Sequence, residues 1–228
     1  MPITIDHSFV YPSILVDPTP MPALVFLHGQ KERGDNLSLV ENHGPPHYAT
    51  SGVLPSLELM RVIAPQCPLE QTWSDPANAR DVAKLITTLR QANYVDSTKI
   101  YLTGWSMGGY GVCSVLLSLG DDLPVAAAAV VSGGSLELKQ SETARLLART
   151  PFFVAYGKND KRVPPAESVR LLDALGKHSN DLRREVYSDP MVLIKGEPSP
   201  HVLACRHAFS QAPLYMWLLQ HRRERIIP

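Results

Sequence analysis

Five residues carry the plainest chemical signal in this sequence. Gly104-Trp105-Ser106-Met107-Gly108 has the form G-x-S-x-G and lies between an apolar run and a helix-like run. A serine on a tight strand-to-helix bend projects its hydroxyl out of the sheet, and the small residues two before and two after let the chain turn without collision. The chemistry of such a serine is nucleophilic attack on an acyl carbon. It needs a base to take the hydroxyl proton, an acid to orient that base, and N–H donors for the oxyanion. The Met107 N–H, at the start of the following helix, is one candidate donor. The Gln30 N–H, in His28-Gly29-Gln30 after the first buried run, is the other. Two such donors contribute on the order of 3 kcal/mol each to transition-state stabilisation.

The acid is expected after a later strand. Asp160 stands in Gly157-Lys158-Asn159-Asp160-Lys161-Arg162-Val163-Pro164, between the Pro151 to Tyr156 run and a proline-started helix. The base is expected last in chain order. His201, on a Pro/Gly-rich loop before the final helix, is preferred. His207, inside that helix, is the rival, and His178 lies near a helix end before a strand, which is the wrong place. The order Ser106, Asp160, His201 is nucleophile, acid, base.

These residues need a frame. Ala23 to Leu27, Met60 to Ala64, Lys99 to Thr103, Val125 to Val131, Pro151 to Tyr156 and Leu182 to Tyr187 read as strands. Ala77 to Tyr94, Tyr110 to Leu119, Glu137 to Ala148, Pro164 to Lys177 and Val202 to Arg222 read as helices, the last kinked or broken at Pro213. Strands alternating with crossover helices predict an α/β fold with a mostly parallel central sheet and helices on both faces. Ile3 to Val16 would add antiparallel edge strands. The candidate residues fall just after strands, where such sheets place their sites. With no linker or repeat, residues 1–228 are expected to form one domain without a large cap.

The chain has 228 residues, 44% of them hydrophobic and 19% charged, with 22 basic and 22 acidic side chains. That balance, with no basic block, argues against nucleic acid as a partner. No apolar run is long enough to span a bilayer. The first residues show no signal-peptide pattern, and three cysteines without a CxxC spacing suit a reducing compartment. A cytoplasmic location is therefore expected, as monomer or homodimer.

Taken in order, Phe26 to Asn36, Ala64 to Pro68 with Trp73, Ile100 to Gly109, Tyr156 to Pro164 and Leu214 to Leu219 make the chain recognisable. It resembles the α/β-hydrolase superfamily, and more narrowly the small esterases and predicted peptidases near the phospholipase/carboxylesterase and dienelactone hydrolase groups. The resemblance implies ester hydrolysis through an acyl-enzyme with no cofactor and no metal, on a small-molecule ester or acyl substrate. It implies a pocket lined or braced by Trp73 and by the loop from Glu32 to Asp35. His28, Gly29 and Trp105 are expected in the pocket as well. Glu32, Arg33 and Asp35 are expected to form a local salt-bridged turn, and Ser188 to Pro200 is long enough for a substrate-facing insertion.

Other readings compete. Thioesters, lysophospholipids and short peptides share the same chemistry, so the triad does not separate them from carboxylic esters. A non-catalytic binding protein on this fold is a different class. A metal-dependent hydrolase is a third, since His43-Gly44-Pro45-Pro46-His47 spaces two histidines four apart. Gly-Pro-Pro argues against a regular helix there, and no carboxylate completes a familiar ligand set, so surface or structural histidines are expected.

Overall fold

Val125-Ala-Ala-Ala-Ala-Val-Val has no polar alternate position, so both faces of this strand must be covered. The computed structural model, which describes residues 3–5, 8–11, 19–121, 123–137, 141–179, 181–188 and 199–224, covers both. The strands are β1 (Ile3–Ile5), β2 (Ser8–Tyr11), β3 (Met21–Leu27), β4 (Arg61–Pro65), β5 (Val95–Trp105), β6 (Val125–Val131), β7 (Phe152–Gly157) and β8 (Leu182–Tyr187). They form one sheet in the order β1-β2-β4-β3-β5-β6-β7-β8. From β4 to β8 every pairing is parallel, while β1 and β2 join antiparallel at one edge.

The period of two sorts each strand between two cores. Ala23, Val25 and Leu27 of β3 face one core, and Leu24 and Phe26 face the other. The first core is closed by α2 (Pro76–Gln91), α3 (Met107–Leu119), α4 (Ser141–Leu147) and α5 (Pro165–Leu175), through residues such as Val82, Ile86, Val112, Leu147 and Leu171. The second is closed by α1 (Pro45–Ser51), α6 (Pro200–Phe209) and α7 (Ala212–Leu219), through Ala49, Cys205, Phe209, Leu214 and Leu218. Each fully buried aliphatic or aromatic side chain contributes about 1.5–3 kcal/mol. β8 has a covered neighbour on one side only, and its Leu-Arg-Arg-Glu-Val-Tyr reads accordingly as half-exposed.

Three elements differ from the sequence reading. Gly-Pro-Pro does not prevent a helix: α1 begins with both prolines in its first turn, where no intrahelical N–H bond is required, and His47 lies inside it. The C-terminal helix is two helices, α6 ending at Phe209 and α7 starting at Ala212, and Pro213 sits in the first turn of the second. His201 is not on a loop. It is the second residue of α6, whose N-terminus starts one residue earlier with Pro200. The expected insertion from Ser188 to Pro200 falls almost wholly outside the described residues, as do residues 12–16 of the N-terminal segment.

Candidate active site

β5 ends at Trp105 and α3 begins at Met107, so Ser106 alone makes the bend. Its φ of 57° and ψ of −119° lie outside the ordinary regions for an L-residue, a conformation costing about 1–3 kcal/mol that surrounding packing must hold. The two glycines of the motif are close-approach residues. A Cβ on Gly104 would lie 2.2 Å from the Gly108 carbonyl oxygen, and one on Gly108 would lie 1.9 Å from the Leu27 carbonyl oxygen. The bend therefore seats α3 directly against the end of β3. The Ser106 N–H donates to the Val131 carbonyl (3.0 Å), which ties the bend to β6 as well.

Three side chains from three separate segments meet here. His201 Nε2 lies 2.9 Å from Ser106 Oγ, and His201 Nδ1 lies 2.6 Å from Asp160 Oδ2. An ionised carboxylate only accepts, so the short contact assigns the proton to Nδ1 and leaves Nε2 free to accept from the serine hydroxyl. All three residues are buried. Asp160 follows β7, and its other oxygen accepts the N–H groups of Arg162 (2.9 Å) and Val163 (3.0 Å). Burial would raise the Asp160 carboxyl. The bond to His201 and those two N–H donors outweigh it and hold the group below the usual carboxylate range. The rival His207 is turned away, stacked on Tyr187 with ring centroids 5.6 Å apart.

Gln30 and Met107 occupy equivalent places. Gln30 opens the 3-10 turn Gln30–Glu32 after β3, and Met107 opens α3; neither segment has a side-chain cap. Their N–H groups belong to the first-turn donors that helix geometry leaves without an intrahelical acceptor. Both residues sit beside Ser106, one as its chain neighbour and the other in the lining of the same cleft.

The cleft over Ser106 holds about 100 Å³. Among the described residues its lining includes Gln30, Glu32, His43, Trp105, Arg162 and His201. Trp105 belongs to it, with its indole 5.0 Å from the His201 ring. His28 and Trp73 do not, which corrects the expectation that they line the pocket and leaves Trp73 with the bracing alternative. His28 Nε2 accepts the Cys67 N–H (3.0 Å), so Nδ1 carries the proton and donates to the Gly29 carbonyl (2.7 Å). Burial first, and then the Arg33 guanidinium, push its imidazole down to about 4 against the opposing bond to Gly29, so it stays neutral. Trp73 Nε1 donates to the His28 carbonyl (3.0 Å), and its Cβ side packs against Gly111 of α3. Both are braces behind the Gly29-Gln30 loop, and Trp73 also contributes to a groove beside α2 of mixed lining, with Asn78, Asp81, Val82 and Leu85. Gly29 itself lies between Glu32 and Trp105, each within 3.0 Å of where a Cβ would stand.

Two further residues of the cleft are Glu32 and His43. Among the described residues Glu32 makes no ion pair with Arg33 of the expected salt-bridged turn. Its side chain is 2% exposed, and its Oε1 lies 3.8 Å from His43 Nε2. Burial raises its carboxyl above the usual range, against the N–H groups of Glu32 and Gly29 and the charge of Lys31. Arg33 instead donates to the carbonyls of Gln30 and Gln71, both at 3.0 Å. His43 packs edge-on against Trp105 at 5.0 Å, and burial lowers its imidazole. The signal for it was Gly44, whose φ of 72° and 2.3 Å approach to the Phe26 ring admit no side chain. That glycine lets the loop cross Phe26 and deliver His43. His47, by contrast, turns its Nδ1 to the Glu41 carbonyl (3.1 Å). The described residues contain no grouping of three or more His, Cys, Asp or Glu positioned for a metal ion, and no helix among them is long and apolar enough to cross a membrane.

Solved structures of similar fold include several esterases. The solved structure of a thermostable esterase superposes with a TM-score of 0.75 at 25% identity over 98% of this chain, which spans 62% of that esterase's length. Esterase 2 of Thermogutta terrifontis superposes with a TM-score of 0.61 at 15% identity, over 96% of this chain and 91% of its own. Esterase PE8 gives 0.53 at 19%, over 79% and 88%. No curated protein matches the sequence. Residues 68–191, more than half the chain, match the dienelactone hydrolase family. With the parallel sheet, its helical layers and that match taken together, the chain belongs to the dienelactone hydrolase family of the α/β-hydrolase superfamily, a family of hydrolytic enzymes.

Proposed function

We propose that this hydrolase is a serine carboxylesterase, built as one α/β-hydrolase domain over residues 1–228, in which Ser106, His201 and Asp160 act as a catalytic triad. The observation that carries the reading is the unbroken pair of contacts, 2.9 Å from Ser106 Oγ to His201 Nε2 and 2.6 Å from His201 Nδ1 to Asp160 Oδ2. A serine hydroxyl is too weak an acid to ionise alone near neutral pH. His201 takes its proton as Oγ attacks the ester carbonyl, and Asp160 stabilises the imidazolium without taking the proton. The Gln30 and Met107 N–H groups receive the oxyanion. Collapse of the tetrahedral adduct expels the alcohol, which His201 protonates, and leaves an acyl group on Ser106. His201 then deprotonates a water that attacks this acyl-enzyme, and the carboxylic acid departs as the serine recovers its proton.

The small cleft supports short acyl groups over long chains. A protein of the same fold, esterase 2 of Thermogutta terrifontis, has been captured phosphorylated by paraoxon, and the same reagent provides a test here. Paraoxon should add one diethylphosphoryl group to the native chain, located on Ser106 by peptide mass spectrometry. Ser106→Ala should take no label and should lose 4-nitrophenyl acetate turnover with its melting temperature retained. Undiminished turnover by the alanine variant rules the assignment out.

A further inference from the structure

The Gln30 N–H can receive an oxyanion only while its turn keeps one orientation. A single 3-10 turn is weakly bonded within itself, and this one has no side-chain cap at its start. Its stiffness has to come from outside, and the loop after β4 supplies it. β3 and β4 are parallel neighbours, with Val25 opposite Ile63, so the chain leaves both at the same end of the sheet. Gln66, one residue beyond β4, meets the turn there. Its Nε2 donates to the Glu32 carbonyl (2.8 Å) and to the Asn36 carbonyl (2.9 Å). A side-chain amide nitrogen carries two protons, and both are engaged. Around these bonds the Gly34 N–H donates to the Cys67 carbonyl (2.9 Å), and Arg33 bridges the carbonyls of Gln30 and Gln71.

Glu32 ends the turn that Gln30 starts. In a helical turn the N–H groups point toward its start and the carbonyls toward its end. A bond on the last carbonyl therefore holds the axis along which the first N–H points. The second bond, to Asn36, ties the same amide to the chain as it leaves the loop. Gln66 is partly exposed, and among the described residues it lines the groove beside α2 and not the cleft over Ser106. It acts on the site through the turn alone. We propose that Gln66 is a positioning residue for the oxyanion, setting the aim of the Gln30 N–H from behind the loop. This rests on Gln30 as an oxyanion donor and on Ser106 as the nucleophile. An ester carbonyl in the ground state is a weak acceptor and the tetrahedral oxyanion a strong one, so a misdirected donor lowers kcat and leaves KM nearly unchanged.

Two variants test this. Gln66→Met keeps the length of the side chain and removes both donors, and Gln66→Asn keeps the amide but withdraws it by one methylene. Each should lower kcat on methyl butanoate by about tenfold or more, part of the roughly 10²–10³ that deleting an oxyanion donor costs, with KM within about threefold of wild type. Propyl trifluoromethyl ketone provides a readout that a merely structural role would not move. Ser106 Oγ bonds to its carbonyl carbon, the serine proton passes to His201, and the carbonyl oxygen becomes an alkoxide facing the two N–H groups. Its Ki should rise by the same factor as kcat/KM falls. Circular dichroism establishes that each variant is folded, and titration with paraoxon counts its active sites. A folded variant with kcat within threefold of wild type overturns the proposal, and so does a fall in kcat that leaves Ki unchanged. Failure of both variants to fold makes Gln66 a residue of stability and overturns it as well. Ser106→Ala separates the two levels: hydrolysis that survives it removes the triad, whereas serine-dependent hydrolysis at the wild-type rate in the Gln66 variants removes the positioning role alone.

Discussion

His28 makes the structure's account of itself quantitative. The imidazole is 1% exposed and neutral, spending both nitrogens on the backbone of the loop that carries Gly29 and Gln30. Its folded value of about 4 compares with an ordinary 6.5. Between those two values the unfolded chain binds more protons at this residue than the folded one, so stability rises with pH across that window. The contribution is fully present above about pH 6.5 and is lost as the pH falls toward 4. At ~1.4 kcal/mol per pH unit the whole gap corresponds to about 3 kcal/mol, of which roughly 2.5 kcal/mol disappears between pH 7.5 and 4.5. The perturbation is His28→Gln, whose amide oxygen can accept from the Cys67 N–H and which does not titrate in this range. Urea unfolding by tryptophan fluorescence gives ΔG for both proteins at half-unit pH steps. Every other titrating group, His43 included, is shared, so the difference between the two curves isolates His28. The wild type should lose about 2.5 kcal/mol relative to the variant on going from pH 7.5 to 4.5. Parallel curves, differing by a constant within about 0.5 kcal/mol, would refute the neutral, two-bonded imidazole and with it the view of His28 as the brace of the Gly29-Gln30 loop.

Other expectations follow from the same geometry. Asp160→Asn should lower kcat by about 10⁴ while leaving KM within a few-fold, because it offers an N–H where the His201 tautomer needs an acceptor; steady-state kinetics on 4-nitrophenyl acetate measure this, and a loss under tenfold would remove Asp160 from the triad. His207→Ala should retain ester turnover within twofold, since that ring stacks on Tyr187 away from Ser106; loss of turnover in a folded variant would make it the base instead. Gly108→Ala should destabilise by more than about 3 kcal/mol, as its methyl would meet the Leu27 carbonyl at 1.9 Å with only backbone to move. A thermal melt within 2 °C of wild type would show that the bend relaxes easily.

Much of this was legible from local pattern. Continuous apolar runs such as Val125 to Val131 announce strands buried on both faces, and spacing of 3.6 announces α2 and α5. The glycines flanking Ser106 announce a close backbone approach, because a Cβ would be fatal at either one. The periodicities are short-range requirements, each met or broken within about ten residues of chain, whereas the backbone that Gly108 must clear, the Leu27 carbonyl, comes from far along the sequence. Sequence also orders Ser106, Asp160 and His201 along the chain, and it brings Trp105 forward as the serine's neighbour. What it leaves undecided is anything set by how loops return over the sheet. The sequence prefers His201 over His207 by its place before the final helix, yet both stand on α6; the seat of that helix against β7 is what turns the first toward Asp160 and the second toward Tyr187. His28 and Trp73 have the residue types of a pocket, yet their side chains point behind the loop whose backbone faces Ser106. Glu32 and His43 carry polar letters that suggest solvent, yet Glu32 is buried and the crossing of Phe26 at Gly44 turns His43 inward. Polarity and period are properties of neighbouring residues and can be read along one dimension. Which polar group is shut away from water beside a given hydroxyl is decided by contacts between segments tens of residues apart, and that exists only once the chain has closed on itself.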